Sequence, residues 1–221
     1  MIWKRFGMVF VAGAVALPVL LRADDERLKT AATVLTEMAG SADKGISEGL
    51  FAKAKCVVII PGVKKGAIGL GGQYGRGYIS CRRDAAGGWS APGGIRIEGG
   101  SIGLQIGGTD TDVIMLVMND RGVDRMLSSR FTVGADAAVA AGPVGRQATA
   151  QTDATLMAEI LAWSRARGVF AGVSLQGSTL REDSSENKSL YGKELTNKEI
   201  VKSGIAVPKS AEELIAALAK Y

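Results

Sequence analysis

Apolar residues recur at helical spacing near the start of the chain and then give way to strand-like alternation. From Asp25 to Met38, Leu28, Ala31, Ala32, Leu35 and Met38 form one stripe, with Arg27, Lys29 and Glu37 elsewhere on the wheel, which predicts an amphipathic helix. A second, shorter helix is predicted over 47–54, turning Leu50, Phe51 and Ala54 inward. The run Cys56 to Ile60 then reads as a buried strand stopped by Pro61-Gly62. Between Ala67 and Arg82 the alternation leaves one side nearly bare: Ala67, Gly69, Gly71, Gln73, Gly75 and Gly77 face one way, and Ile68, Leu70, Tyr74, Arg76, Tyr78 and Arg82 the other. A strand without side chains on one face lets another layer approach closely or lets the sheet coil sharply.

Past a turn at Asp84 to Gly88, Trp89 to Gly108 alternates again, and its change of apolar parity at Gly99-Gly100 suggests a bulge. Val113 to Met118 is a central strand. Asp120 is read as the cap of a short helix through Leu127, and Gly142 to Gly145 as a rigid turn. Residues 154–163 fit helix or strand; the strand reading is preferred because Gly168 to Leu175 resembles a hairpin partner. The polar stretch 181–193 reads as a loop with one helical turn. Ser210 and Glu213 suggest a capping box before a final helix carrying Leu214, Ile215 and Leu218. The fold class is therefore α+β: a single domain with a strongly twisted, glycine-rich, mainly antiparallel sheet or partial barrel and peripheral helices.

Composition sharpens this picture in three places. The 30 glycines are concentrated in apolar runs instead of loops. Residues 1–23 resemble a signal peptide, with Lys4 and Arg5 before an apolar core and Leu21-Arg22-Ala23 as a cleavage site, so the expected mature domain is 24–221 and exported, periplasmic or extracellular. Removing the leader lowers the formal charge from +5 to +2, with 24 basic against 22 acidic residues, and no nucleic-acid footprint remains. Cys56 and Cys81 are either a disulfide between neighbouring strands or two small buried hydrophobes.

There is no histidine, which removes Ser-His and Cys-His nucleophiles and the usual zinc sites. Asp110 and Asp112 are the best carboxylate pair, yet in Gly-Thr-Asp-Thr-Asp they read first as turn residues. The glycine cluster lacks both the third glycine of the dinucleotide fingerprint and the Lys-Ser/Thr end of the nucleotide loop. No enzyme activity, cofactor or metal is expected. What remains is a group of cations, Lys64, Lys65, Arg76 and Arg82, with Tyr74 and Tyr78 beside them. It suits either phosphate headgroups at a lipid interface or ordinary solvation on a hairpin.

Ile59-Ile60-Pro61-Gly62-Val63-Lys64-Lys65-Gly66, Gly71-Gly72-Gln73-Tyr74-Gly75-Arg76-Gly77, Gly88-Trp89-Ser90-Ala91-Pro92, Gly103-Leu104-Gln105-Ile106-Gly107, Gly142-Pro143-Val144-Gly145-Arg146 and Ser164 to Leu175 occur in the order seen in the SYLF domain family, which the chain resembles from about Arg27 to Ile200. The resemblance implies binding to phosphoinositide-containing membranes, partly through an N-terminal amphipathic helix; some relatives act in actin organisation beside SH3 or FYVE modules. Carried over, Asp25 to Met38 is the expected membrane-contacting helix, with Arg27 and Lys29 at headgroups. For an exported copy the expected partner is an envelope phospholipid or other amphiphile at an anionic surface, not actin. A structural or protein-interaction role in the cell envelope is the alternative.

Overall fold

The computed structural model describes residues 23–40, 45–68, 70–83, 87–102, 107–136, 138–143, 158–166, 169–172, 175 and 177–221. The expected leader, apart from Ala23, lies outside the described residues, as do Leu104, Gln105 and Arg146 of the family-like words.

Helix α1 (Ala23–Ala39) and helix α2 (Glu48–Lys53) precede a long hairpin of β1 (Cys56–Ile68) and β2 (Leu70–Cys81). β3 (Gly93–Ile102), β4 (Gly107–Val117), α3 (Asp120–Met126), β5 (Arg130–Thr132), β6 (Val139–Ala141), β7 (Ile160–Ala166), β8 (Val169–Gly172) and β9 (Thr179–Glu182) follow. The chain ends in α4 (Ser184–Tyr191), α5 (Asn197–Lys202), a 3-10 turn at Lys209–Ala211 and α6 (Glu212–Leu218). The strands form one sheet in the order β5-β9-β3-β2-β1-β4-β7-β6, with β8 on β7. Every pairing is antiparallel except β6 with β7.

Two cores lie on opposite faces of this sheet. On the outer face, Val57, Ile59, Tyr78, Ile114, Leu116 and Trp163 pack beneath α1 and α6. On the inner face, Val58, Ile60, Ile79, Ile95, Ile97, Val113, Met115 and Leu180 pack mostly against one another, so the sheet curls into a half-barrel whose lining is its own side chains.

Several expectations change. β1 does not stop at Pro61-Gly62 but runs on to Ile68 through a bulge, with register shifts between Ile59 and Lys64 towards β2 and between Ile60 and Val63 towards β4. Gly62 takes the left-handed φ of 59° that the bulge requires. Ala67 and Ile68 therefore belong to β1, not to the glycine-rich strand. No bulge occurs at Gly99-Gly100; β3 keeps one register with β2 from Gly93 to Ile102. Asn119, not Asp120, caps α3, its side chain accepting from the Gly122 N–H at 2.9 Å. Residues 181–193 hold the two-turn helix α4 in place of a loop, because Asp183 caps it. The Ser210/Glu213 capping box does not form, since a 3-10 turn precedes α6 and no side chain caps it. The strand reading holds for Ile160–Trp163, which pair with β4 and, at Trp163, with β8, whereas 154–157 lie outside the described residues.

Cys56 and Cys81 stand opposite each other at the open end of the β1–β2 hairpin and are joined, with Cα atoms 3.9 Å apart. The cross-link closes a separation of 25 residues, so reduction is expected to cost about 3 kcal/mol of unfolding free energy on chain-entropy grounds. Urea denaturation with and without reductant checks this; coincident curves would contradict it.

Candidate functional site

The eight residues singled out as lipid-binding fall into three places. The first is a polar knot where the N-terminus of α1 meets β2 and α4. Tyr78 is 1% exposed, and its hydroxyl donates to Glu186, with the Asp24 carbonyl 3.2 Å away. Arg27 Nη1 lies 2.7 Å from Glu186 Oε2 and 3.4 Å from Asp24 Oδ1. Arg76 reaches Asp183 at 2.5 Å, Glu186 at 3.2 Å and the Ser185 hydroxyl at 2.9 Å. Ser189 donates to Asp24. Gly94 makes the close approach possible, because a Cβ there would sit 2.7 Å from Glu186 Cβ.

Three carboxylates and two guanidiniums in this knot titrate unequally. Burial pushes Glu186 above the usual carboxylate range, outweighing the Tyr78 hydrogen bond and Arg27. Burial alone would raise Asp183 and Asp24 too, but Arg76 holds Asp183 below its ordinary value, and Ser189 with Arg27 does the same for Asp24. Burial and the Glu186 carboxylate push the Tyr78 phenol far up. Folded Glu186 therefore binds protons that the unfolded chain releases, while Asp24 and Asp183 do the reverse. Stability should rise slightly as pH falls through the raised Glu186 titration towards about 4.5, then drop below about pH 4 as the two aspartates are protonated. Glu186→Gln should abolish the rise in a pH series of denaturation curves; a wild-type series with no rise between neutrality and the acid drop would contradict the assignment.

Arg82 occupies the second place. It donates to the Phe51 and Ala54 carbonyls at 3.1 Å and to the Tyr221 carbonyl at 2.7 Å, and stacks 4.5 Å over the Trp89 ring, so it ties α2 and the final residue to the sheet. Arg27, Arg76, Tyr78 and Arg82 are thus committed to internal contacts. The same holds for the apolar side of α1: Leu28, Ala31, Val34, Leu35 and Met38 are at most 2% exposed beneath the fold. The membrane-contacting helix of the family resemblance has its stripe buried in the outer core here. Among the described residues, no helix is long and apolar enough to cross a membrane.

The third place is open to solvent. Lys64 and Tyr74 are register partners across β1 and β2, with Lys64 exposed and Tyr74 49% exposed. Lys65 is half-buried beside them, and Lys29 is exposed on α1. Asp112, from the carboxylate pair, accepts from Arg165 at 2.7 and 3.0 Å and from the Gly62 N–H at 3.0 Å, so it fastens the β1 bulge. A cleft of about 370 Å³ between α4 and α5 has Glu182, Glu194 and Glu199 in its lining. These accept from the Asn197 N–H, Lys188 and Thr196, and their sign repels an anionic ligand.

Pattern reading missed Arg96, Arg181, Arg130 and Glu98. These lie on the same outer face as Arg76 and Tyr74, brought together only by the pairing of β2, β3, β9 and β5. Alternation shows which face each residue takes within its own strand; it does not show that four strands align their arginines.

The family described as Ysc84, Las17-binding protein actin regulator, matches residues 98–221, from the middle of β3 to the end of the chain. The chain belongs to the Ysc84 (SYLF) family. Similar Ysc84 relatives include the SH3 domain-containing protein PJ696.02 of Schizosaccharomyces pombe, 35% identical over 176 residues, covering 78% of this chain and 40% of that protein. Protein YSC84 of Saccharomyces cerevisiae is 34% identical over 179 residues, covering 79% and 37%. The SH3 domain-containing YSC84-like protein 1 of Bos taurus is 31% identical over 199 residues, covering 87% and 58%. The chain thus spans roughly two-fifths to three-fifths of the length of these Ysc84 relatives.

Proposed function

We propose that this Ysc84-family domain is a non-enzymatic module that associates with anionic phospholipid at a membrane surface. The observation that carries the reading is the exposed Lys64/Tyr74 pair at the outer end of the β1–β2 hairpin, a cation beside an aromatic ring on a rigid sheet. A half-exposed tyrosine suits the interface between headgroups and acyl chains, and each lysine or arginine near an anionic surface contributes about 1 kcal/mol. Because α1 has its apolar stripe packed inside, attraction in this conformation is mainly electrostatic and therefore salt-sensitive. The leader-like residues 1–23 and the Cys56–Cys81 disulfide both support an exported domain in an oxidising compartment. There the lipid would be an envelope phospholipid.

A second reading, a protein-interaction module, draws on the family description, which names Las17 binding and actin regulation for its members. Sedimentation with phosphatidylcholine vesicles, with and without phosphatidylserine, tests the first reading. We expect recovery with the anionic vesicles at low salt and its loss at high salt. Equal recovery with both vesicle types would remove the electrostatic claim. Absence of vesicle binding, together with a stoichiometric protein partner in pull-down, would favour the second reading.

A further inference from the structure

We infer that the outer sheet face from β2 to β5 is a receptor for phosphoryl groups of a membrane lipid headgroup, formed by Arg96, Arg181 and Arg130 around Glu98. Arg76, Arg96, Arg181 and Arg130 stand directly opposite one another across β2, β3, β9 and β5. Opposed residues leave a sheet on the same face, and neighbouring strands lie about 4.8 Å apart, so the four stems form a row roughly 14 Å long. Like charges directly opposite destabilise a sheet, which makes such a row costly for folding alone.

The fold neutralises this row only at one end. Arg76 is taken up by Asp183 and Glu186. Arg96 and Arg181 share Glu98, through Nε to Oε1 at 2.8 Å and Nε to Oε2 at 3.3 Å. Arg130, exposed on the edge strand, has no acidic partner among the described residues. Three guanidiniums therefore face one carboxylate, with the Arg96, Glu98 and Arg181 side chains 34–36% exposed. The shortest approach to Glu98 is through Nε in both cases, without hydrogen-bonding geometry, and among the described residues no hydrogen bond engages the terminal nitrogens of Arg96 and Arg181, which can make bidentate contacts with oxyanions.

The next row along the strands reads Lys64, Tyr74, Glu98, Thr179 and Thr132. It adds hydroxyl donors, a further cation and the exposed Tyr74 ring beside the arginines. A single small anion would engage one neighbouring pair. The three arginines left open, on β3, β9 and β5, span two strand separations, about 10 Å, which matches more than one phosphoryl group side by side, as anionic headgroups in a bilayer present them, and the tyrosine and lysine at the margin suit the same surface.

This inference rests on the membrane reading above. Its test uses the full mature chain with phosphatidylcholine vesicles containing phosphatidic acid, and inorganic pyrophosphate as the soluble probe. Arg181→Gln with Arg130→Gln should weaken vesicle binding about tenfold or more. Glu98→Gln should strengthen it about threefold at low salt, with the gain lost at high salt, which separates it from apolar binding by misfolded protein. If the double arginine variant binds like wild type while Lys64→Gln with Lys65→Gln loses binding, the receptor is wrong and the membrane reading stands. If wild type ignores the vesicles, the membrane reading itself fails; pyrophosphate binding that depends on Arg181 would then reassign the row to a soluble phosphate and overturn the lipid source. Glu98→Gln without any gain also overturns the proposal.

Discussion

Gly77→Ala should prevent stable folding, or cost about 4 kcal/mol or more, a very large effect for a single methyl group. A Cβ at Gly77 would run into the backbone carbonyl of Ile59 and approach Ile60 Cα at 2.7 Å. At Gly75 it would meet Val63 Cγ2 at 2.8 Å and Ile60 Cγ2 at 2.9 Å. These contacts are the β1 bulge itself, folded over the bare side of β2. The β-branched side chains of Val63 and Ile60, with Val63 Cα 3.2 Å away, obstruct position 75, whereas the backbone obstructs position 77 at closer range, so Gly75→Ala should cost less than Gly77→Ala. Soluble yield and urea midpoints of the two variants decide it. A Gly77→Ala protein within 1 kcal/mol of wild type would show that the bulge does not lie against β2 as described.

Asp183→Ala should cost about 4 kcal/mol, the second large effect. Its side chain is 1% exposed, receives Arg76 at 2.5 Å and the Ser185 hydroxyl at 2.7 Å, and caps α4 through the Glu186 N–H at 3.3 Å. Alanine leaves Arg76 beside Glu186 alone and removes the cap. Asp183→Asn keeps a capping oxygen and loses the charge, so about half the loss should remain. A double-mutant cycle with Arg76→Met measures the coupling; additive losses would contradict a direct pair.

Both predictions rest on features of unequal visibility in the chain. The bare face of 67–82 announced a close approach, and the structure supplies the layer that approaches: the neighbouring strand's own bulge. Pro61-Gly62 read as a stop because proline lacks an N–H and glycine turns readily, but a bulge uses the same two properties to continue a strand. α5 was missed although Thr196 and Glu199 form a capping box, since its polar residues masked the short stripe of Ile200 and Val201.

Among the candidate cations, residue type alone did not separate Lys64 from Arg27 or Arg76. What separates them is tertiary: Arg27 and Arg76 face the acids of α4, more than a hundred residues away, while Lys64 faces Tyr74 at the hairpin's outer end. The arginine row was hidden for the same reason. Its members come from four strands, and only register aligns them. The family resemblance is independent of these side-chain placements because it rests on ordered glycine-rich words, two of which, 59–66 and 71–77, form the β1–β2 hairpin.

The proposed role is to hold lipid at a membrane surface without altering it. Its most direct test is mass spectrometry of lipid extracted from anionic vesicles after incubation with the protein at low salt, the vesicles first being floated to separate bound from free chain. Protein is expected on the floated vesicles, with every headgroup and acyl-chain mass unchanged. Protein left in the unbound fraction, or the time-dependent appearance of a cleaved or transferred lipid product, would contradict it.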